Sequence, residues 1–292
     1  MKKFLILVLG LFVFVSGCTP VTPTTLPFKG LCFSPYLKGD LNHNITSSTL
    51  DNLLGKISPY TTSVRGFGSR DFWPTFYSMS RIRGLTVATG ADIWSDTSSN
   101  GPEVAALAGL CQNKAIDFAI VGDETMDDMD GPPALSESQM LSYINQVKGK
   151  GVPVGSAQSY YVWEQHPNLV QAVDFIVMNV YPYWNGLSWQ DSLNFVKEHH
   201  KTISGYGKPV YIETGWPSAG DTNGAAVPSA GNSGSYMSEF MKWAKDNNVN
   251  YWYFNSFDED WKIEEGSVGP YWGVWDHDGN LKPENAKYLT IK

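Results

Sequence analysis

Eight short apolar runs alternate with helix-like stretches, at intervals of roughly 25 to 30 residues, and this rhythm constrains the fold more than any other feature. The runs are Gly30–Tyr36, Ser63–Gly68, Leu85–Gly90, Asp117–Gly122, Val152–Ser156, Asp174–Val180, Pro209–Glu213 and Asn250–Asn255. They are apolar on both faces, as strands buried between two layers are. Between them, Leu50, Leu53, Leu54 and Ile57 recur at helical spacing, as do Leu193, Val196 and Ile203, and then Met237, Phe240 and Ala244. A further helix is expected near Val104–Cys111, and a last one over Pro283–Leu289. Ser136 and Gln139 have the spacing of a capping box and precede Met140, Ile144 and Val147. Eight β/α units in one domain-sized chain predict an α/β fold. The expected form is a single-domain (β/α)8 TIM barrel rather than an open doubly wound sheet.

The first residues read as an address. Lys2 and Lys3 precede an apolar run from Phe4 to Val15, and Val15-Ser16-Gly17-Cys18 resembles a bacterial lipobox. The expectation is a lipoprotein signal over 1–17 and lipidation of Cys18. A Thr/Pro-rich tether follows over 18–27, and the folded body over 28–292. Such a chain would sit in the bacterial cell envelope, held to the outer membrane or to the outer face of the plasma membrane. The net charge of −8, with no basic run, argues against a nucleic-acid partner. Cys32 and Cys111 are too few for a disulfide framework and read as buried thiols. No Cys/His cluster has metal spacing, and His199-His200 falls in a helical pattern, so no metal site is expected. The default oligomeric state is a monomer.

Active sites of such barrels gather at the C-terminal ends of the strands. There the sequence places Gly122-Asp123-Glu124-Thr125, Asn179-Val180-Tyr181, Glu213-Thr214-Gly215-Trp216 and Asp258-Glu259-Asp260-Trp261-Lys262. Glycosidic cleavage needs two carboxyl groups flanking one bond. Glu124 and Glu213, at the ends of strands four and seven and expected across the barrel mouth from each other, are the candidates. Aromatic content is high at 14%, with 11 Trp, and large rings suit the apolar faces of sugars. Trp94, Trp163, Trp184, Trp216 and Trp261 all follow expected strands. Arg65, beside Gly66, is a candidate to neutralise a barrel carboxylate rather than to bind ligand.

These segments carry a resemblance. Val121-Gly122-Asp123-Glu124, Asn179-Val180-Tyr181-Pro182-Tyr183 and above all Glu213-Thr214-Gly215-Trp216-Pro217-Ser218 resemble the signature segments of glycoside hydrolase family 17. Phe257-Asp258-Glu259-Asp260-Trp261-Lys262, followed by Tyr271-Trp272-Gly273-Val274-Trp275, is similar to that family's closing segment. The resemblance implies a retaining hydrolase of laminarin-type β-1,3-glucan, without cofactor; endo action is the expectation, with exo action left open. It implies Glu124 as general acid/base and Glu213 as nucleophile, with carboxyls ~5–5.5 Å apart. Tyr36, Asp123, Asn179, Tyr181, Trp216, Glu259, Trp261 and Lys262 are the implied substrate contacts. The family has Asn where this chain has Asp123. An ionised Asp can only accept hydrogen bonds, so Asp123 is expected either to accept from the sugar 2-hydroxyl or to shift the pH optimum. Two alternatives stay open on sequence alone: a β-1,3-glucan transglycosylase of the same fold, and a non-catalytic surface glycan-binding lipoprotein.

Overall fold

The structure, a computed structural model, describes residues 27–38, 45–129 and 131–292. The expected export signal over 1–17, the lipidation cysteine Cys18 and the tether through residue 26 lie outside the described residues. Among the described residues, no helix is long and apolar enough to cross a membrane.

Eight parallel strands close into one barrel in sequence order. They are β1 (Leu31–Cys32), β2 (Ser63–Arg65), β3 (Thr86–Ala91), β4 (Phe118–Asp123), β5 (Val154–Ser159), β6 (Phe175–Asn179), β7 (Val210–Thr214) and β8 (Asn250–Tyr253). Leu31 pairs with both Val64 and Tyr253, which closes the circle. Around it lie α1 (Ser47–Ile57), α2 (Trp73–Ile82), α3 (Asn100–Gln112), α4 (Glu137–Val147), α5 (Tyr160–Gln165), α6 (Pro167–Ala172), α7 (Trp189–Ser204), α8 (Ala230–Asp246) and α9 (Pro283–Ala286). The capping box forms as expected: the Ser136 side chain accepts from the Gln139 N–H, and the Gln139 side chain accepts from Ser136. The α2 helix has no counterpart in the sequence reading. Its buried residues Trp73, Phe76, Tyr77 and Ser80 nonetheless follow helical spacing, and Pro74 lies in its first turn, where no intrahelical N–H is needed. Strand β5 also runs three residues beyond its expected end at Ser156.

Two apolar layers result. Leu, Ile, Val and aromatic side chains fill the space between strands and helices. A smaller cluster fills the barrel itself: Cys32, Ala88, Ile120, Ala157, Phe175, Val177 and Trp252. Aromatic rings plug its N-terminal end. Tyr211 stacks on Trp252 at 4.4 Å, and Phe118 meets Phe175 at 5.5 Å. Alternation along each strand then decides what reaches the other end. Phe175 and Val177 point inward, so Asn179 does too; Tyr211 points inward, and Glu213 follows two residues later. Thr214 points outward and bonds the Tyr236 hydroxyl of α8 at 2.6 Å.

Strand β4 breaks this alternation. Its register against β5 slips between Ile120 and Asp123, so that Asp123 pairs with the inward Ala157. Glu124 then leaves the strand with φ 52°, its N–H on the Ala157 carbonyl at 2.9 Å. Gly122 makes the bulge possible. Its φ is 72°, and a Cβ there would lie 2.8 Å from Thr125 Oγ1 and 2.9 Å from Met140 Cε. Strands β4 and β7 do not stand diametrically opposed, as the sequence reading had it: β5 and β6 alone separate them. Gly122→Ala should destabilise the protein by about 1–3 kcal/mol. A lowered urea midpoint checks this, and an unchanged midpoint would show that the bulge tolerates a side chain.

Candidate active site

The ends of β1, β2, β4, β6 and β7 bring polar side chains to one rim over the apolar plug. Glu213 is almost fully buried, and its carboxylate is held from three directions. The Tyr181 hydroxyl donates to Oε1 at 2.6 Å. The Arg65 guanidinium pairs with Oε2 through Nη1. The Cys32 thiol, from β1, donates to the same Oε2 at 3.3 Å. Burial pushes that thiol up to about 12, so it stays protonated and acts only as a neutral donor.

Arg65 has a second partner. Its Nη2 donates to Asp123 Oδ2 at 2.8 Å, so one buried guanidinium links Asp123 to Glu213. Asn179 links the other pair. Its side-chain N–H₂ donates to Asp123 Oδ1 at 3.0 Å and to Glu124 Oε1 at 3.1 Å. Asn179 itself pairs in register with Glu213 across β6 and β7. The outcome is a chain of contacts: Glu124, Asn179, Asp123, Arg65, Glu213, Tyr181.

The two glutamates sit in different electrostatic settings. Two strong donors favour the ionised form of Glu213. Glu124 is raised to about 7, first by burial and then by the charge of Asp123; the Asn179 hydrogen bond opposes this, Asp127 adds to it, and Arg65 opposes it. Asp123 therefore serves Arg65 and Asn179 through its two oxygens and raises Glu124 through its charge.

The remaining expected contacts divide. Tyr36 is partly buried beside β1, its ring edge-on to Phe72 at 5.8 Å. Its phenol is raised to about 12, by burial and then by the charges of Asp71, Glu259 and Asp92. Trp216 is a correction. It is 1% exposed, packed against Tyr236, with its N–H on the Val227 carbonyl, so it supports the rim from beneath and offers no open face. Glu259 is buried too and holds other residues, accepting from Ser34, from Asn255 at 2.6 Å and from the Trp261 indole at 2.9 Å. Lys262 pairs with Glu265 at 2.6 Å and lies over the Trp261 ring at 4.6 Å. Of the five candidate tryptophans, Trp94 and Trp184 keep open surfaces, at 48% and 51% exposure, while Trp163 is buried with its N–H on Val177. Cys32 and Cys111 are free buried thiols. Among the described residues, no cluster of His, Cys, Asp and Glu could hold a metal ion.

Several residues at the site are not among the expected contacts. Cys32 and Ser34 follow from inward alternation on β1. Ser159 closes β5, whose expected end fell short of it. Asp127 and Tyr161 lie in the segments after β4 and β5, and position alone does not single them out.

Residues 30–273 match the BtgE/BtgC glycoside hydrolase domain. An Aspergillus niger protein named glucan endo-1,3-beta-glucosidase btgC is 26% identical over 266 residues, covering 79% of this chain and 38% of that protein. The chain thus spans well under half of that relative. The glucan 1,3-beta-glucosidase of Schizosaccharomyces pombe is 26% identical over 246 residues, covering 77% of both proteins. The crystal structure of the glycoside hydrolase family 17 beta-1,3-glucanosyltransferase from Rhizomucor miehei superposes with a TM-score of 0.78 and 28% identity. The match covers 91% of this chain and 97% of that one. An active-site mutant of the same Rhizomucor enzyme has been crystallised with laminaritriose.

Arg65→Met leaves two neighbouring acids without their cation and should cost about 3–5 kcal/mol in chemical denaturation at neutral pH. Adding Glu213→Gln should recover part of that loss. A double variant as unstable as the single one would show that the guanidinium contributes packing rather than charge.

Proposed function

The chain belongs to the BtgE/BtgC glycoside hydrolase domain family, and on that premise we propose that it cleaves β-1,3-glucan with retention of configuration. Glu213 is the nucleophile and Glu124 the general acid/base. The observation that carries this reading is the unequal setting of the two carboxyls on one rim. Glu213 is held by Arg65 and Tyr181, whereas Glu124 is raised to about 7 and keeps its proton below that pH.

In the first step, a Glu213 oxygen bonds to the anomeric carbon. The glycosidic C–O bond breaks, and the Glu124 proton passes to the leaving oxygen. Formation of the ester removes the charge on Glu213, and Arg65 remains bound to Asp123. Glu124, now ionised, takes a proton from an incoming water. The water oxygen bonds to the anomeric carbon, and the Glu213 ester bond breaks. Tyr181 and Cys32 follow Glu213 through both steps as donors from fixed positions. Trp94 and Trp184 are the open rings on which sugar units can stack.

A sugar hydroxyl in place of that water gives transglycosylation, and the likeness to the Rhizomucor glucanosyltransferase favours keeping this second reading. Export and lipidation at Cys18 would put a monomeric enzyme on the cell envelope, where polymeric glucan is within reach.

Laminarin should yield short oligosaccharides whose first-formed anomer is β, followed by proton NMR. The kcat/KM should fall as pH rises through about 7, where Glu124 loses its proton. Glu213→Gln should lower turnover about 10⁴-fold or more. Longer products would decide for transfer, an α first-formed anomer would reject retention, and full activity of Glu213→Gln would reject the assignment.

A further inference from the structure

Asp127 belongs to neither end of the Arg65 network, yet it is built into the surroundings of Glu124. Its backbone N–H donates to the Glu124 carbonyl at 3.1 Å, which turns the chain back, and both carboxyls face the Ser159 hydroxyl. Two hydroxyls from other elements hold it. Ser159, the last residue of β5, donates through Oγ to Asp127 Oδ2 at 2.6 Å. Tyr161, in α5, donates to Oδ1, which also accepts the Met129 N–H at 3.0 Å.

The same Ser159 oxygen lies 3.4 Å from Glu124 Oε1. A serine hydroxyl carries one proton and gives it to one acceptor. Asp127 is 0.8 Å nearer and takes it. Glu124 Oε1 is then left with the Asn179 amide, which it shares with Asp123. An ionised Glu124 is thus short of donors, whereas a protonated one needs fewer.

We infer that Asp127, held by Ser159 and Tyr161, is a positioning residue that keeps Glu124 in its acid form by withholding the Ser159 proton and by adding a second negative charge. The inference rests on Glu124 being the general acid/base. The charged and titratable groups facing Glu124 are Asp123 from β4, Asp127 from the turn, Arg65 from β2, and Tyr161 and Tyr181 from the segments after β5 and β6. Glu213 from β7 is joined to them through Arg65. The only cation in this set is committed to Asp123 and Glu213. In the second half of the reaction the same shortage of donors makes ionised Glu124 a better base toward the attacking water.

The bland role for Asp127 is to shape its turn, and Asp127→Asn separates the two. Asn keeps an acceptor for Met129 and Tyr161. It presents an N–H₂ to Ser159, which then accepts and frees its own proton for Glu124. The alkaline limb of kcat/KM on laminarin should move to lower pH by roughly half a unit to one unit. Ser159→Ala alone should move it little, and Asp127→Asn with Ser159→Ala should shift it less than Asp127→Asn does. An unmoved limb in Asp127→Asn overturns the inference, and so does an equal shift with and without Ser159. A carboxyl-carbon NMR titration of Glu124 in wild type and Asp127→Asn gives the same comparison in folded protein of any activity. Glu124→Ala distinguishes the underlying reading: undiminished turnover there sinks the acid/base assignment itself. Lost turnover there, with an unmoved limb in Asp127→Asn, sinks only the role of Asp127.

Discussion

One buried guanidinium organises the rim of this barrel. Arg65 is 1% exposed and bonds both Asp123 and Glu213. An unpaired cation in such a place would cost several kcal/mol, and so would the buried Glu213 carboxylate alone. Arg65 and Glu213 are therefore each a condition for burying the other, and the half-buried Asp123 adds a second anion to the guanidinium. The requirement also divides labour among the acids. Asp123 and Glu213 share the positive charge directly. Among charged groups, Asp123 and then Asp127 act most strongly on Glu124, with Arg65 as a weaker opposing influence.

The backbone makes that arrangement possible. Strict alternation along β6 and β7 delivers Asn179 and Glu213 inward above an aromatic plug. On β4 the same alternation would have turned Gly122 inward instead of Asp123. The slip between Ile120 and Asp123 repairs this and sends Glu124 out of the strand with a positive φ. Strain at Glu124 is thus the local consequence of placing two consecutive acids in two different roles.

Much of this was legible in the sequence, for physical reasons. Apolar runs and helical spacing show the eight units because burial in two layers leaves a periodic trace. Glu124 and Glu213 stand out as carboxylates at the ends of apolar strands, Asn179 and Tyr181 through the family resemblance, and Arg65 as a cation within an apolar run; the structure brings all five to one rim. Trp216 was misjudged because a tryptophan after a strand can lie above the rim or under it, and spacing does not distinguish the two. The α2 helix was overlooked although Trp73, Phe76, Tyr77 and Ser80 carry its period. The positions of Asp127, Ser159 and Tyr161 depend on a bulge and on a strand end three residues longer than its apolar run. Neither leaves a periodic signal.

On the proposed mechanism, the two glutamates differ in protonation before any substrate arrives. Neutron diffraction from perdeuterated crystals near pH 5.5 reads this directly. A deuteron on the Glu124 carboxyl, with none on Glu213 and a fully deuterated Arg65 guanidinium between Glu213 and Asp123, is the predicted result. A deuteron on Glu213, or a bare Glu124, would contradict it.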